Sequence, residues 1–455
     1  MHERNPHFMN IQVCDSLVAR DKAVIAPCQH LSYFPLVVVD AKGAKLTDAD
    51  GNTYIDFLSS ASSLNLGSCH PAINAAIEEQ LNSYTQYTQA YCYCQKAIEY
   101  AERLTSVYPG GVPAKVCFGN CGSDANDAAV KFARAYTGRS KIITFLNGYY
   151  GNTYGSSSMT TCAPRMRAKI GPMLPEIYPF PFFGTDVSDA ECEANCLAEL
   201  ERAFDTWLTP TEVAAVIIEP IQGDGGILPA HPIFMDKLYK LCKQHGILFF
   251  AEEVQQGFFR TGKWFSIENY PGIIPDGIVM GKSIGASLPL GAFMGRSEIM
   301  DCLPAPAHLF TMGGNAIACA AGCAAFDYYK TDEFQSILST NIEVLLQEAA
   351  KLKEKHPDLV HFSRGIGLSM GIGVCKTLDD GTQVPDPDAT FKVLFRSYQL
   401  GLIVISLCGH ILRIQPPLVI KPEELSQGFA IIAQAMDDLK AGRIPDDVLA
   451  YRAGW

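Results

Sequence analysis

Short, nearly unbroken apolar runs recur along the chain, at Lys115–Phe118, Lys141–Phe145, Val213–Ile218, Ile247–Ala251 and Gly277–Met280. Runs of this length that do not alternate with polar residues predict strands buried on both faces, as in a parallel sheet. Between them the apolar residues fall three or four apart. Pro232 opens one such stretch, Phe234, Leu238, Leu241 and Cys242 share one face of it, and Gly246 closes it; this predicts a helix. Val213–Ile218, that helix and Ile247–Ala251 then form a βαβ unit. Further helices are expected from Pro71 to Leu81, Ala125 to Tyr136 and Ala316 to Tyr328, with another running through Leu352. Outside this block the rhythm changes. Pro35–Val39, Gly43–Thr47 and Tyr54–Leu58 read as strands around an Asp50-Gly51-Asn52 turn, followed by a small-residue loop over Ser59–Ser63. Leu368–Val374, Leu402–Leu407 and Ile411–Ile414 read as strands, and Pro422–Leu439 as a last helix. The expectation is an α/β protein with a large domain over residues 76–329. A smaller α+β domain would draw on residues 1–75 and 330–455.

Two of the strands deliver charge. Ile247–Ala251 stops at Glu252 and Glu253, and Gly277–Met280 stops at Gly281-Lys282-Ser283. Open α/β sheets place their sites at the carboxyl ends of strands. A lysine and an acid there suit pyridoxal phosphate, which needs an amine for its Schiff base and an acid to keep its pyridine nitrogen protonated. Either stretch alone equally suits a solvated Lys–Glu pair. Between Phe118 and Ala125 the sequence GNCGSD joins strand to helix through small residues, with Ser123 placed to cap. Backbone N–H groups and a helix N-terminus can meet an anion in such a turn, which is also an ordinary tight turn. No GxxxxGK[ST] stretch is present, so a nucleoside triphosphate is not indicated. Asp224, in the glycine-rich segment after Val213–Ile218, joins Glu252 and Lys282 at the same edge. The tyrosine-rich stretch Tyr84–Tyr93 could line a cleft or cover a core.

Composition narrows the classes. The chain has 455 residues, 48% of them hydrophobic and 18% charged, with a net charge of −12. That length exceeds one compact core, and the balance fits a globular enzyme. The negative charge argues against nucleic acid or an anionic membrane as partner. No apolar run reaches transmembrane length and the first residues lack a signal-peptide core, so a cytoplasmic location is expected. None of the sixteen cysteines falls in a CxxC zinc spacing. Neither a metal nor a disulfide framework is expected.

Taken together, the segments DADGNTYIDF, CGSDAN, GYYGNT, EPIQGDGG, EEVQQGFFRTG, GKSIGASLPLGA, TMGGN and LRIQPPL stand in an order that resembles the class III, fold-type I pyridoxal-phosphate aminotransferases from about Pro35 onward. KIGPMLP, IEPIQGDGG, APAHLF and ILRIQPPLVI bring it nearer to the branch that contains isoleucine 2-epimerase and related amino-acid racemases. The resemblance implies a mainly parallel, seven-stranded sheet. It also implies a homodimer, or a dimer of dimers, with active sites shared across the interface. By that resemblance Lys282 would carry the cofactor and move the α-proton. Gly122 and Ser123 would hold its phosphate, and Thr311 would reach the phosphate bound by the partner subunit. Tyr149 would stack on the ring, Gln255 would sit near the ring hydroxyl, and Arg413 would clamp the substrate carboxylate. Two positions depart from the family pattern. Glu252 stands where aspartate is usual under the pyridine nitrogen, and Tyr150 replaces a histidine.

Racemisation returns a proton to the opposite face of Cα, which asks for an acid–base group facing Lys282. Asp224 is the candidate; its other reading is that it orders its own glycine-rich loop. The expected activity is a racemase or 2-epimerase of aliphatic, branched-chain-like amino acids. The alternative is a class III aminotransferase using an amino acid or ω-amine and a 2-oxo acid. A non-catalytic or dinucleotide-binding α/β protein is a third reading, disfavoured by Lys282 and the combined motifs.

Overall fold

The structure is a computed structural model that describes residues 11–452. The chain divides into two compact units. One is the continuous segment Pro71–Thr331; the other runs to His70 and resumes at Asp332.

Pro71–Thr331 is built on a seven-stranded sheet. Its strands are β1 (Ala114–Gly119), β2 (Lys141–Phe145), β3 (Ile177–Phe180), β4 (Val213–Ile218), β5 (Leu248–Glu252), β6 (Gly277–Met280) and β7 (Gly291–Arg296). They lie in the order β1-β7-β6-β5-β4-β2-β3. β3, β2, β4, β5 and β6 run parallel, whereas β7 is antiparallel to both its neighbours. The central strands are apolar on both sides because both faces are covered; every residue of β4 and β6 is buried. Phe249 and Phe250 are fully enclosed, and burying a side chain of that size is worth roughly 1.5–3 kcal/mol.

Two helices fix the ends of these strands. The first, α1 (Gly122–Thr137), starts three residues earlier than Ala125, the start read from the apolar pattern, so Gly122 and Ser123 occupy its first turn. The second, α2 (Pro232–His245), begins with proline and ends at Gly246, whose φ of 62° is the left-handed cap that glycine takes without strain. His231 caps its start, accepting the Ile233 N–H at 3.3 Å through Nδ1. β4, α2 and β5 form the expected βαβ unit. In the β5–β6 register Glu252 lies beside Val279, three residues before Lys282. The sheet therefore carries the acid and the lysine to one edge.

The other unit holds two sheets. In one, Val38–Lys42, Lys45–Asp48 and Thr53–Asp56 form antiparallel neighbours, and Leu402–Ile403 adds in parallel to the last. The other pairs Val360–Ile366, Ser369–Thr377, Ile411–Ile414 and Ile405–Leu407 antiparallel. The run Leu402–Leu407 is thus two short strands in different sheets, where the apolar pattern suggested one. Asp50 serves the helix Gln12–Val24 from outside, its carboxylate accepting the N–H groups of Val13 and Cys14 at 2.9 and 2.8 Å. Asp48 accepts the N–H groups of Asp50 and Asn52, the Asn52 amide and the Tyr54 hydroxyl. The grouping of Cys14, Asp48 and Asp50 is accounted for by these bonds.

Ser59–Ser62 departs from a plain loop. Its four residues have φ of 46°, 47°, 58° and 66°. Left-handed conformation costs an L-residue roughly 1–2 kcal/mol, so the surroundings must hold this turn in place. Asp56 does part of that, accepting the N–H groups of Leu58 and Ser59 at 2.7 and 2.8 Å. No helix among the described residues is long and apolar enough to cross a membrane.

Candidate active site

At the carboxyl edge of the Pro71–Thr331 sheet, strand ends and one helix start converge. β6 ends at Met280, and Lys282 follows with φ of +49°. This is a strained backbone for lysine, of the kind that clusters at functional sites. Gly281 allows the approach of α1: a Cβ there would lie 2.9 Å from the Gly122 Cα. A Cβ on Gly122 would in turn strike Val254 at 2.7 Å. Both glycines let the lysine turn, the start of α1 and the end of β5 pack backbone to backbone.

Glu252 closes β5 and is 3% exposed. Its carboxylate accepts from the Asn126 amide at 3.3 Å and the Val254 N–H at 3.4 Å. Burial pushes its pKa up to about 7, opposed first by the Lys282 charge; the Asp224 charge pushes it further up. Glu252 thus feels both groups that the sequence singled out. Asp224 is itself only 6% exposed. Its neighbour Gly223 lies against Gln255, whose Oε1 would be 2.2 Å from a Cβ at that glycine. Gln255 is buried and accepts from the Gln256 amide at 3.3 Å.

Tyr149 is half-buried beside them. Burial raises its hydroxyl well above the ordinary range, and the Asp224 and Glu252 carboxylates add to that. Its hydroxyl accepts from the Asn152 amide at 3.1 Å. The same loop meets Ser123, whose Oγ accepts the Asn152 N–H at 3.1 Å. Tyr150, by contrast, is a packing residue: it is buried and donates to the Ile217 carbonyl at 3.1 Å.

Two residues of this cluster were not singled out from the sequence. Glu219, directly after β4, accepts the Tyr149 N–H at 3.3 Å and the Gly223 N–H at 3.4 Å. It therefore ties the tyrosine loop to the Asp224 loop. Burial, then the Glu252 and Asp224 charges, raise its pKa well above the carboxylate range. Its signal was available, since it ends an apolar strand as Glu252 does. Asn126, fully buried on α1, donates to the Tyr150 carbonyl at 2.8 Å and to Glu252, while its Oδ1 has no hydrogen-bond partner. Glu253 is structural: it accepts the Ser266 N–H and hydroxyl and the Ile267 N–H, each at 2.8 Å. Burial still lifts its pKa to about 8.

Thr311 is placed differently. It is exposed, and its carbonyl accepts the Gln86 amide at 2.9 Å. Asn315, four residues on, caps the helix Ala316–Tyr329. Arg413 belongs to the other unit, on Ile411–Ile414, and is 2% exposed. In the stretch Tyr84–Tyr93, Tyr87, Tyr91 and Tyr93 are 66%, 87% and 98% exposed, and Gln89, Ala90 and Tyr93 line a surface cavity with Ala97 and Phe118.

An amine, a buried carboxylate near neutrality, an uncapped helix start bearing a serine and a half-buried aromatic ring share one edge of the sheet. The model of the aminotransferase class-III family matches residues 27–436. The chain belongs to this family. It is 39% identical to an isoleucine 2-epimerase of Lentilactobacillus buchneri over 96% of this chain and 98% of that one. It is 36% identical to a leucine/methionine racemase of Thermococcus litoralis, over 97% and 99% of the two chains. The solved structures it resembles include the ornithine aminotransferase of Toxoplasma gondii, whose active site holds PLP at partial occupancy. That match has a TM-score of 0.80 and 26% identity and covers 94% of this chain and 96% of that one. The sheet, mostly parallel with a separate smaller unit, is the fold-type I architecture of these enzymes.

Proposed function

We propose that this chain is a pyridoxal-phosphate-dependent racemase or 2-epimerase of aliphatic, branched-chain-like amino acids. The observation that carries the reading is a further buried acid besides Glu252 and Glu219, Asp224, in the cluster where Glu252 feels the Lys282 charge. Full-length similarity to an isoleucine 2-epimerase and a leucine/methionine racemase supports it. It is tested by supplying one L-amino acid without any 2-oxo acid and resolving the product by chirality.

The residues fit the cofactor group by group. Lys282 offers the amine for its aldehyde and Glu252 the carboxylate for its ring nitrogen. Gly122 and Ser123, in the first turn of α1, offer N–H groups and a hydroxyl to its phosphate. Cys121, which precedes that turn, makes no side-chain cap that would compete for those N–H groups. Tyr149 would face the ring and Gln255 its hydroxyl; the buried Asn126 Oδ1 would add an acceptor. When bound, pyridoxal phosphate supplies an electron sink that acidifies the substrate Cα–H. Lys282 Nζ then takes the proton from Cα on one face, and Asp224 returns one on the other. Glu219 holds the loops that carry Tyr149 and Asp224. Glu252 has a pKa of about 7 from burial, and a ring nitrogen that carries a proton would hold it ionised.

Arg413 is assigned to the substrate carboxylate. Arg413→Lys is expected to raise KM for the amino acid about tenfold or more, because one ammonium cannot reproduce the planar fork of a guanidinium. Cofactor content should not change. An unaltered KM would place the carboxylate elsewhere.

We also assign a homodimer, with Thr311 reaching the partner's cofactor phosphate. Gln86 and Gln89 tie Tyr84–Tyr93 to Thr311 and Gly313, so the exposed Tyr87, Tyr91, Tyr93 and Met312 belong to one region. An apolar patch of this kind marks an interaction surface. A cytoplasmic location is part of the same proposal. The aminotransferase reading is the alternative, favoured by the likeness to an ornithine aminotransferase.

A further inference from the structure

Arg413 reaches into a polar network within its own unit. Its Nε donates to Gln415 Oε1, and its Nη2 donates to Ser62 Oγ at 3.1 Å. Ser62 Oγ donates in turn to Gln415 Oε1 at 2.8 Å. Gln415 Nε2 donates to Ser369 Oγ at 2.6 Å, which fixes the amide with its oxygen toward the guanidinium. The Gln415 backbone is held as well: its N–H donates to the Phe57 carbonyl at 2.9 Å, and its carbonyl accepts the Ser59 hydroxyl at 2.7 Å. Ser59, Ser62, Ser369 and Gln415 are all fully buried.

This network accounts for the left-handed turn. Ser59 and Ser62 begin and end the four strained residues, and both spend their hydroxyls on Gln415. A right-handed or extended path would move one hydroxyl away. The strain is kept because it brings Ser62 to the arginine.

We infer that Gln415 and Ser62 are positioning residues for Arg413, engaging its Nε edge so that the guanidinium is presented to the α-carboxylate in one fixed orientation. The inference rests on the assignment of Arg413 to the substrate carboxylate. It is specific to a neutral amide at position 415. A carboxylate there would satisfy the arginine by itself and compete with the substrate.

The test compares L-leucine with 3-methylbutylamine, which has the same side chain and no carboxylate. Binding to the cofactor-loaded protein is read from the change in cofactor absorbance, so racemisation is not required. Gln415→Glu should weaken L-leucine about tenfold or more, the usual size of a disturbed hydrogen bond to a charged group, and leave the amine unchanged. Ser62→Ala should show the same selectivity with a smaller loss, and decides the matter if Gln415→Glu does not load cofactor. The inference is overturned if the variants bind both compounds as wild type does, or weaken both equally, as a purely structural role would. Arg413→Lys is the control. If it too fails to separate the two compounds, the carboxylate assignment itself is lost; if it separates them and the other variants do not, only the positioning role is lost.

Discussion

Lys282→Ala is expected to abolish turnover and covalent cofactor attachment together. The alanine inherits the same φ of +49° and is strained there no less than lysine, so the fold should be little affected. What disappears is chemical: the amine whose charge Glu252 feels and which would meet the cofactor aldehyde. Loss of a general acid–base group alone costs roughly a hundred- to ten-thousand-fold, and loss of the attachment adds to that. Borohydride reduction of the wild-type holoenzyme followed by peptide mapping should put the label on Lys282, and the variant should carry none. A label on a different lysine would overturn the assignment.

Asp224→Asn should lose racemisation by roughly a hundred- to ten-thousand-fold while cofactor binding persists. Asparagine keeps the volume of the side chain, so the Gly223 loop can stay against Gln255. The charge is what goes. Because the Asp224 carboxylate helps to raise the pKa values of Glu219 and Glu252, its removal should lower both rather than disturb their burial. Lys282 would still serve one face of Cα. Deuterium from D2O should therefore enter one enantiomer of the substrate much faster than the other. Equal exchange with both enantiomers, or racemisation at the wild-type rate, would assign the second face to another group.

Much of this arrangement was legible before the structure, for physical reasons. β4 and β6 are continuous apolar runs bounded by turn residues, and buried parallel strands leave that trace. The charges that ended β5 and β6 marked the site edge, because strand ends at one edge collect. β3 left no such trace: it is four residues long and contains Pro179. β7 was hidden in a glycine-bounded segment that reads equally well as a loop. Glu219 escaped notice although it ends β4, since its role lies in two backbone N–H groups, one of which, that of Tyr149, is 70 residues away. The turn at Ser59–Ser62 could not be read at all. Serine and alanine carry no preference for left-handed backbone, and what holds them there is Gln415, more than 350 residues away by the Ser62 and Ser59 bonds. The substituted positions divide in the same way. Tyr150 turned out to pack under β4, while Glu252 keeps a buried carboxylate where the family pattern has the shorter aspartate.

The most direct test of the central claim gives the pure, cofactor-loaded protein a single L-amino acid such as leucine, with no 2-oxo acid present, and follows it on a chiral column. The account predicts that the D enantiomer accumulates until the two are equal, with the total amino acid conserved and no 2-oxo acid formed. Leucine that stays entirely L until a 2-oxo acid is added, and is then consumed in step with amination of that acid, would contradict it.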